Sequence, residues 1–293
     1  NDGSPVFTSS ATFSAAENQT TIGTVTATDA EGDTLTYSIS GSEININSSS
    51  GVLTFASAPD YETKSSYTAT VTVSDGTNST TQDITVNVTN INDGSPVFTS
   101  SATFSAAENQ TTIGTVTATD ADGDGIIFSI SGAEIAIDSS SGNMSFISTP
   151  DYETKFTYTA TITASDGVYL TTQDITVNIS NVNDIAPVFT SDPIFTVEEN
   201  QITIGTVTAT DAEGDDITFS VSGSEISITS SGALTFASAP DYEIKSTYTA
   251  IVSASDGANT TNQNITVNIT NLNESPVLSS NAISLNEGIT EIA

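Results

Sequence analysis

Apolar residues alternate with Thr and Ser over most of the chain. Near the start, Val25 and Ala27 alternate with Thr24 and Thr26, and Leu35, Tyr37 and Ile39 with Thr and Ser. Val71 and Val73 follow, then Ile84, Val86 and Val88. A period of two sends one side of each run inward and the other to solvent, the signature of a half-buried strand, and no segment sustains a period of 3.6. Thr suits the wet face of a sheet. Turn residues punctuate the runs at Glu31-Gly32-Asp33, Ser50-Gly51, Pro59-Asp60 and Asp75-Gly76. The pattern predicts strands near 11–15, 21–27, 34–40, 44–47, 52–55, 66–74 and 82–90. Seven short strands in about 90 residues describe an all-β, immunoglobulin-like Greek-key sandwich, here without Cys or Trp.

The pattern then repeats. Asp2, Asp93 and Asp184 each follow Asn and precede Pro-Val-Phe, and Glu274 takes the next equivalent place. Glu17, Glu108 and Glu199 keep the same spacing of 91 residues. Such a period is too long for a solenoid rung and suits a small independent domain. The expected divisions are repeat 1 at 1–93, repeat 2 at 94–184, repeat 3 at 185–274 and the start of a fourth at 275–293. A chain that starts inside one junction and stops inside a repeat reads as a stretch of a longer array.

Composition narrows the chemistry. Thirty-six acidic residues against three Lys, with no Arg or His, give a formal charge of -33. That balance excludes nucleic acid and anionic membrane surfaces as partners, since both need basic side chains. Without His and Cys there is no ordinary zinc site, no Ser-His or Cys-His nucleophile and no disulfide. No apolar run approaches the ~18 residues of a membrane span, so this segment inserts in no bilayer, and no signal peptide opens the chain. Paired carboxylates can hydrolyse glycosides. Here the same pairs recur in every repeat at the domain ends, and the loops are too short for a cleft. The chain reads as a non-enzyme.

The acids follow a rule of parity. If every strand crosses its sandwich, successive connections alternate between the two poles. Glu17, Asp60 and Glu62 then share the exit pole of repeat 1 with Asn90, Asn92 and Asp93, while Asp29, Glu31, Asp33 and Asp75 share the opposite pole. Only six residues separate Asn90 from Val97, about 20 Å at full stretch. Glu17, Asp60, Glu62, Asn92 and Asp93 are therefore expected to face Asp120, Asp122 and Asp166. By the same count Glu108, Asp151, Glu153, Asn183 and Asp184 face Asp211, Glu213 and Asp256. Weaker half-sites are expected at the ends, from Asp2, Asp29, Glu31 and Asp75 and from Glu199, Asp241, Glu243 and Glu274. One like-charge pair at 4 Å costs about 4 kcal/mol at an effective dielectric near 20. With no basic residue to offset that repulsion, a hard cation is required. Ca2+ fits, taking 6–8 oxygens from carboxylates, amides and carbonyls in flexible geometry, whereas Mg2+ demands a tighter octahedron. The bland alternative is solvated turn residues, which Asp, Asn and Gly favour for backbone reasons.

These motifs resemble cadherin repeats. Glu17-Asn18 is similar to the Pro-Glu-Asn motif with Ala16 for Pro, Asp120-Ala121-Asp122 to the Asp-x-Asp element, and Pro59-Asp60-Tyr61-Glu62 to Leu-Asp-x-Glu. The run Asn90-Ile91-Asn92-Asp93-Gly94-Ser95-Pro96-Val97-Phe98 resembles the family's junction, and Asp166 its last donated aspartate. Glu31 and Glu213 depart from Asp-x-Asp, and Glu274 stands where the junction has Asp. The resemblance implies Ca2+ ions at each full junction and a calcium-rigidified extracellular or cell-surface segment with an adhesive or stalk role. Its partner would be another cell-surface protein, a like molecule or a polysaccharide. Strand exchange through an anchoring Trp is not available to a chain without Trp. The Thr/Ser/Asn-rich, Lys-poor style resembles bacterial surface proteins. The competing reading is a polysaccharide-binding or spacer module of a secreted carbohydrate-active protein.

Overall fold

The computed structural model describes residues 2–275, so the expected fourth repeat lies outside the described residues apart from Ser275. No helix occurs among them. Repeat 1 consists of β1 (Val6–Phe7), β2 (Thr12–Ala16), β3 (Thr21–Thr24), β4 (Ala27–Thr28), β5 (Thr36–Ile39), β6 (Ile44–Ile46), β7 (Val52–Phe55), β8 (Ser66–Ser74) and β9 (Ser79–Thr89). The same nine elements recur from Val97 to Ser180 and from Val188 to Thr270.

One sheet has the order β2-β9-β8-β5, with β2 parallel to β9 and the other pairs antiparallel. The facing sheet is β3-β7-β6, and β1 pairs only with β4. Alternation does what it predicts. Val71, Val73, Ile84, Val86 and Val88 point inward from the first sheet and Ile22, Ile44, Leu53 and Phe55 from the second. Each repeat has its own core, built in repeat 2 around Met144, Phe146, Ile162 and Val177 and in repeat 3 around Leu234, Phe236, Val252 and Val267. By compactness the chain forms two units, one ending at Ser180 and holding the first two cores, the other beginning at Asn181.

Nine strands stand where the pattern predicts seven. The run 21–27 is broken at Val25-Thr26, because the Val25 N–H donates to the Gly51 carbonyl at 2.9 Å. There the chain leaves the β3 sheet and crosses to pair with β1, whose two residues are too few to show a period. Gly51 makes the crossing possible. Its φ is +71°, and a Cβ there would lie 2.2 Å from the Val25 carbonyl oxygen. Gly41 has a similar φ, +87°, with open space around it. Gly51→Ala is expected to cost about 3 kcal/mol, a left-handed penalty plus a backbone clash. Gly41→Ala should cost only about 1 kcal/mol. Urea unfolding of the two variants measures the difference, and equal losses would mean the close approach is not obligatory.

The three Lys are all engaged. The Lys64 ammonium donates to both Glu43 oxygens at 2.5 and 2.7 Å and lies 4.3 Å from the Tyr67 ring centre. Lys155 with Glu134 and Tyr158, and Lys245 with Glu225 and Tyr248, repeat the arrangement. The sequence places each Lys beside Asp-Tyr-Glu, but the partner carboxylate comes from the turn before β6 or its equivalent. These pairs are exposed and contribute at most about 1 kcal/mol each.

Candidate metal centre

The exit pole of repeat 1 is organised by Glu17. Its side chain follows β2 and is only 2% exposed. One carboxylate oxygen accepts the Tyr61 N–H and the other the Ile91 N–H, both at 2.7 Å. A single buried carboxylate thus ties the loop after β7 and the strand exit after β9 to the end of β2. Asn18 follows with φ 60°, a left-handed conformation that Asn tolerates better than most residues. That conformation aims its amide, which donates to the Asp93 carboxylate. Carboxylate oxygens of Glu17, Asp60 and Glu62 come within 4.8 Å of one another, as do those of Glu62, Asp93 and Asp122 and those of Asp120, Asp122 and Asp124. Burial and the charges of Glu17, Asp122 and Asp60 raise the Glu62 pKa. Like charges gathered in this way disfavour ionisation unless a cation joins them.

The facing pole of repeat 2 supplies oxygens that hydrogen bonding leaves over. One Asp122 oxygen accepts the Asp93 and Gly94 N–H groups at 3.2 and 2.9 Å, and the Asn90 amide donates to the Asp122 carbonyl at 2.8 Å. Asp120 uses one oxygen for the N–H groups of Asp122 and Asp124. Asp166 uses one for those of Val168 and Tyr169, both at 2.7 Å. Burial opposes ionisation of Asp166, but these amides and that of Asn92 outweigh it, and its pKa is lowered. What remains is specific. Asp120 Oδ2, Asp122 Oδ1, Asp166 Oδ2 and Asn92 Oδ1 are buried with no hydrogen-bond partner. Buried acceptors without donors are costly and rare. Several together, all oxygen, fit a hard cation such as Ca2+.

The other expected residues fall into equivalent places, each within its own unit. At the start of repeat 1, Asp29 accepts the Glu31 and Asp33 N–H groups and keeps Oδ2 buried without a partner. A side-chain hydrogen bond with Asp2, then burial and the Asp29 charge, raise the Glu31 pKa. Asp75 accepts from Thr77 and Asn78, and the Asn78 amide reaches the Gly3 carbonyl at 2.7 Å. At the end of repeat 2, Glu108 is 4% exposed and accepts the Tyr152 N–H at 2.7 Å, between the exposed Asp151 and Glu153. At the start of repeat 3, Glu213 accepts from the Asp184 and Ile185 amides, and Asp211 accepts the Glu213 N–H. Burial works against the Asp256 charge, yet the amides of Asn259, Ala258 and Asn183 lower its pKa. Asp211 and Asp256 each keep one buried oxygen without a partner. At the end of repeat 3, Glu199 is 1% exposed and accepts the Tyr242 and Leu272 N–H groups, close to Asp241 and Glu243. Asn200 there donates to Glu274 at 2.7 Å.

Sequence reasoning noted Asn18 within the Glu-Asn pair but assigned the helping Asn residues no role. Asn18, Asn109 and Asn200 are the non-Gly residues with positive φ among those described, and the recurring Glu-Asn pair is the signal. Asn78 and Asn259 act at the opposite pole. The Asn259 amide donates to Asn183 Oδ1 at 2.7 Å.

Comparison with known proteins agrees with this geometry. The Cadherin domain family matches residues 11–89, and the Bacterial Ig domain family matches residues 183–270. Human Protocadherin-23 is 32% identical over 235 residues, 73% of this chain and 7% of that protein. The chain is built of tandem cadherin-like domains, the first of which the Cadherin domain family covers. Human Protocadherin Fat 1 is 36% identical over 177 residues, 53% of this chain and 4% of that protein, so the chain spans under a tenth of these curated relatives. Among solved structures, mouse Cadherin-23 EC22-24 superposes with a TM-score of 0.64 at 23% identity, over 92% of this chain and all of that one. Mouse Protocadherin-24 EC1-3 gives 0.62 at 23% identity, over 89% and 98%. Those likenesses carry the fold. Cadherin repeats are structural, extracellular modules of adhesion-type proteins, and no helix among the described residues is long and apolar enough to cross a membrane.

Proposed function

We propose that these cadherin repeats form a calcium-stiffened stretch of a cell-surface adhesin or stalk, divided at 93, 184 and 274. The observation that carries this reading is the set of partnerless buried oxygens on Asn92, Asp120, Asp122 and Asp166. Glu17, Asp60, Glu62 and Asp93 supply the remaining charge from repeat 1. Between them these residues would hold Ca2+, which supplies the positive charge the chain itself lacks. Without it, repulsion between Glu62, Asp93 and Asp122 favours separation of the two poles. With it, ligands from both repeats hold a common position and the junction loses its freedom to bend. Glu108, Asp151 and Glu153, and Asn183, Asp184, Asp211, Glu213 and Asp256, repeat the same residue types. Asp2, Asp29, Glu31 and Asp75, and Glu199, Asp241, Glu243 and Glu274, are partial sets. The role is mechanical: the repeats hold a binding surface away from the cell, for another cell-surface protein or a like molecule.

A chain without Cys lends itself to a direct test. Ser57 and Ser148 are exposed equivalents in repeats 1 and 2. Spin labels at Ser57→Cys and Ser148→Cys should report a distance distribution that narrows with millimolar calcium and broadens in chelator. Asp122→Ala should remove the narrowing. Equal widths with and without calcium would overturn the stiffening role.

A further inference from the structure

Of the eight prolines in the chain, Pro193 alone follows an aspartate. Repeats 1 and 2 have Ser10-Ala11 and Ser101-Ala102 at this place, so folding calls for neither Asp192 nor Pro193. The pair links Val188–Phe189, the repeat 3 counterpart of β1, to Ile194–Glu198, the counterpart of β2. The sheet needs a carbonyl there. That of Pro193 accepts the Thr266 N–H at 2.9 Å, as those of Ala11 and Ala102 accept from Thr85 and Thr176. Proline lacks the N–H but keeps the carbonyl, so it fits. On the near side the Thr190 and Ser191 N–H groups donate to the Thr208 carbonyl at 2.8 and 3.3 Å. The link is therefore fixed at both ends. Its side chain is not. Ser10 and Ser101 are tied down, each hydroxyl accepting the N–H two residues on, from Thr12 or Thr103, at 3.0 Å. Asp192 is exposed, and its carboxylate has no hydrogen-bond partner among the described residues.

No ionisable side chain faces Asp192 from the strands hydrogen-bonded on either side. These are Ala209–Thr210 and Thr260–Thr270, and neither contains one. The counterparts of Thr260–Thr270 in repeats 1 and 2 contain Asp83 and Asp174, where repeat 3 has Asn264. Glu198 stands at the far end of its own strand, and Asp211 follows Ala209–Thr210. A free aspartyl group beside a prolyl link has a definite chemistry. Its O–H oxygen can attack its own backbone carbonyl carbon and close a five-membered cyclic anhydride. The C–N bond to Pro193 breaks, and the carboxyl proton passes to the nitrogen, which leaves as the secondary amine of a new N-terminus. Water then opens the anhydride to the two carboxyl groups of a C-terminal aspartate. One water is consumed, as in any peptide hydrolysis. Proline favours this course twice over. Its nitrogen is a tertiary amide that accepts a proton readily, and it has no N–H to attack the side chain and form a succinimide instead.

We propose that Asp192-Pro193 is a self-cleavage site, at which mild acid divides the folded chain between these two residues. The cut falls inside a domain. It leaves Val188–Phe189 on one piece and the other strands of repeat 3 on the other. The strand pairing that still joins them is Val188 with Thr210 and Phe189 with Ala209, and two strands alone are marginal. No protease is needed, and this reading does not depend on the metal.

Incubation of the full chain at about pH 4, where ordinary aspartyl groups begin to hold a proton, tests it. Products are read by mass spectrometry and N-terminal sequencing, with circular dichroism followed in parallel. The expected pieces are residues 1–192 and 193–293, the second beginning Pro-Ile-Phe. In water enriched in heavy oxygen the label should enter the Asp192 carboxyl groups, and scission should quicken as the pH falls. Asp192→Ser and Pro193→Ala restore residues of repeats 1 and 2 and should fold as those do. Asp192→Ser should slow scission here by at least about a hundredfold, because untethered water must replace a tethered nucleophile. Pro193→Ala should slow it by a smaller factor. A chain that stays whole, an Asp192→Ser variant cut at the parent rate, or scission that starts only after the strand signal is lost would each overturn the proposal.

Discussion

Withdrawal of calcium is expected to lower the thermal midpoint of the chain by at least about 5 °C. An ion that binds only the folded state stabilises it by RT ln(1 + [L]/Kd), about 2.7 kcal/mol at a hundred times Kd. Extracellular calcium modules have Kd values of about 10^-4 to 10^-3 M. In 10 mM calcium one site at the tight end of that range reaches the hundredfold excess. For a unit of the size that ends at Ser180, 1 kcal/mol shifts the midpoint by about 2–4 °C. One site therefore moves it by about 5–11 °C, and a second adds to this. Scanning calorimetry at several calcium concentrations should show the midpoint climbing with the logarithm of calcium. A midpoint indifferent to chelator would mean that the buried oxygens of Asp120 and Asp166 have some other partner.

Glu17→Ala is expected to be the most damaging substitution of one side chain by a smaller one. Two backbone N–H groups from unconnected loops lose a charged acceptor, and hydrogen bonds to charged groups contribute about 1.5–3 kcal/mol each. In calcium the loss should be about 4 kcal/mol. In chelator it should fall to about 2 kcal/mol, because removing one of three crowded negative charges relieves the repulsion around Asp60 and Glu62. Urea unfolding in the two conditions measures both values. The same loss in each would make Glu17 a tie between loops with no share in cation binding.

Strand alternation and the turn residues made most of the sandwich legible in the sequence. Inward positions such as Val71, Val86 and Leu53 are buried as their period requires. What escaped was short or irregular. β1 has two residues and no period, and the crossing at Val25 depends on a hydrogen bond to Gly51 that no local pattern announces. The last strand begins at Ser79, three residues early, because Ser and Thr there carry no apolar signal. The acidic poles were legible for a different reason. Parity depends only on strands crossing the sandwich, so it placed Glu17 with Asp60 and Glu62 without knowledge of the topology. It could not separate oxygens bound by amides from oxygens left over. Nor could it find Asn18, whose importance lies in its backbone angle rather than its charge.

The clamped lysines bear on survival outside the cell. Proteases that cut after basic residues have three candidate bonds in the whole chain, at Lys64, Lys155 and Lys245. Such enzymes must draw the basic head into a pocket and pull the flanking backbone straight. Here each head is gripped by a glutamate over a tyrosine ring. The backbone N–H of each Lys is bonded to the aspartate four residues before it, Asp60, Asp151 or Asp241. Digestion by trypsin-like enzymes must therefore wait for these turns to open, and a filament of such repeats would outlast neighbours whose basic residues lie on free loops.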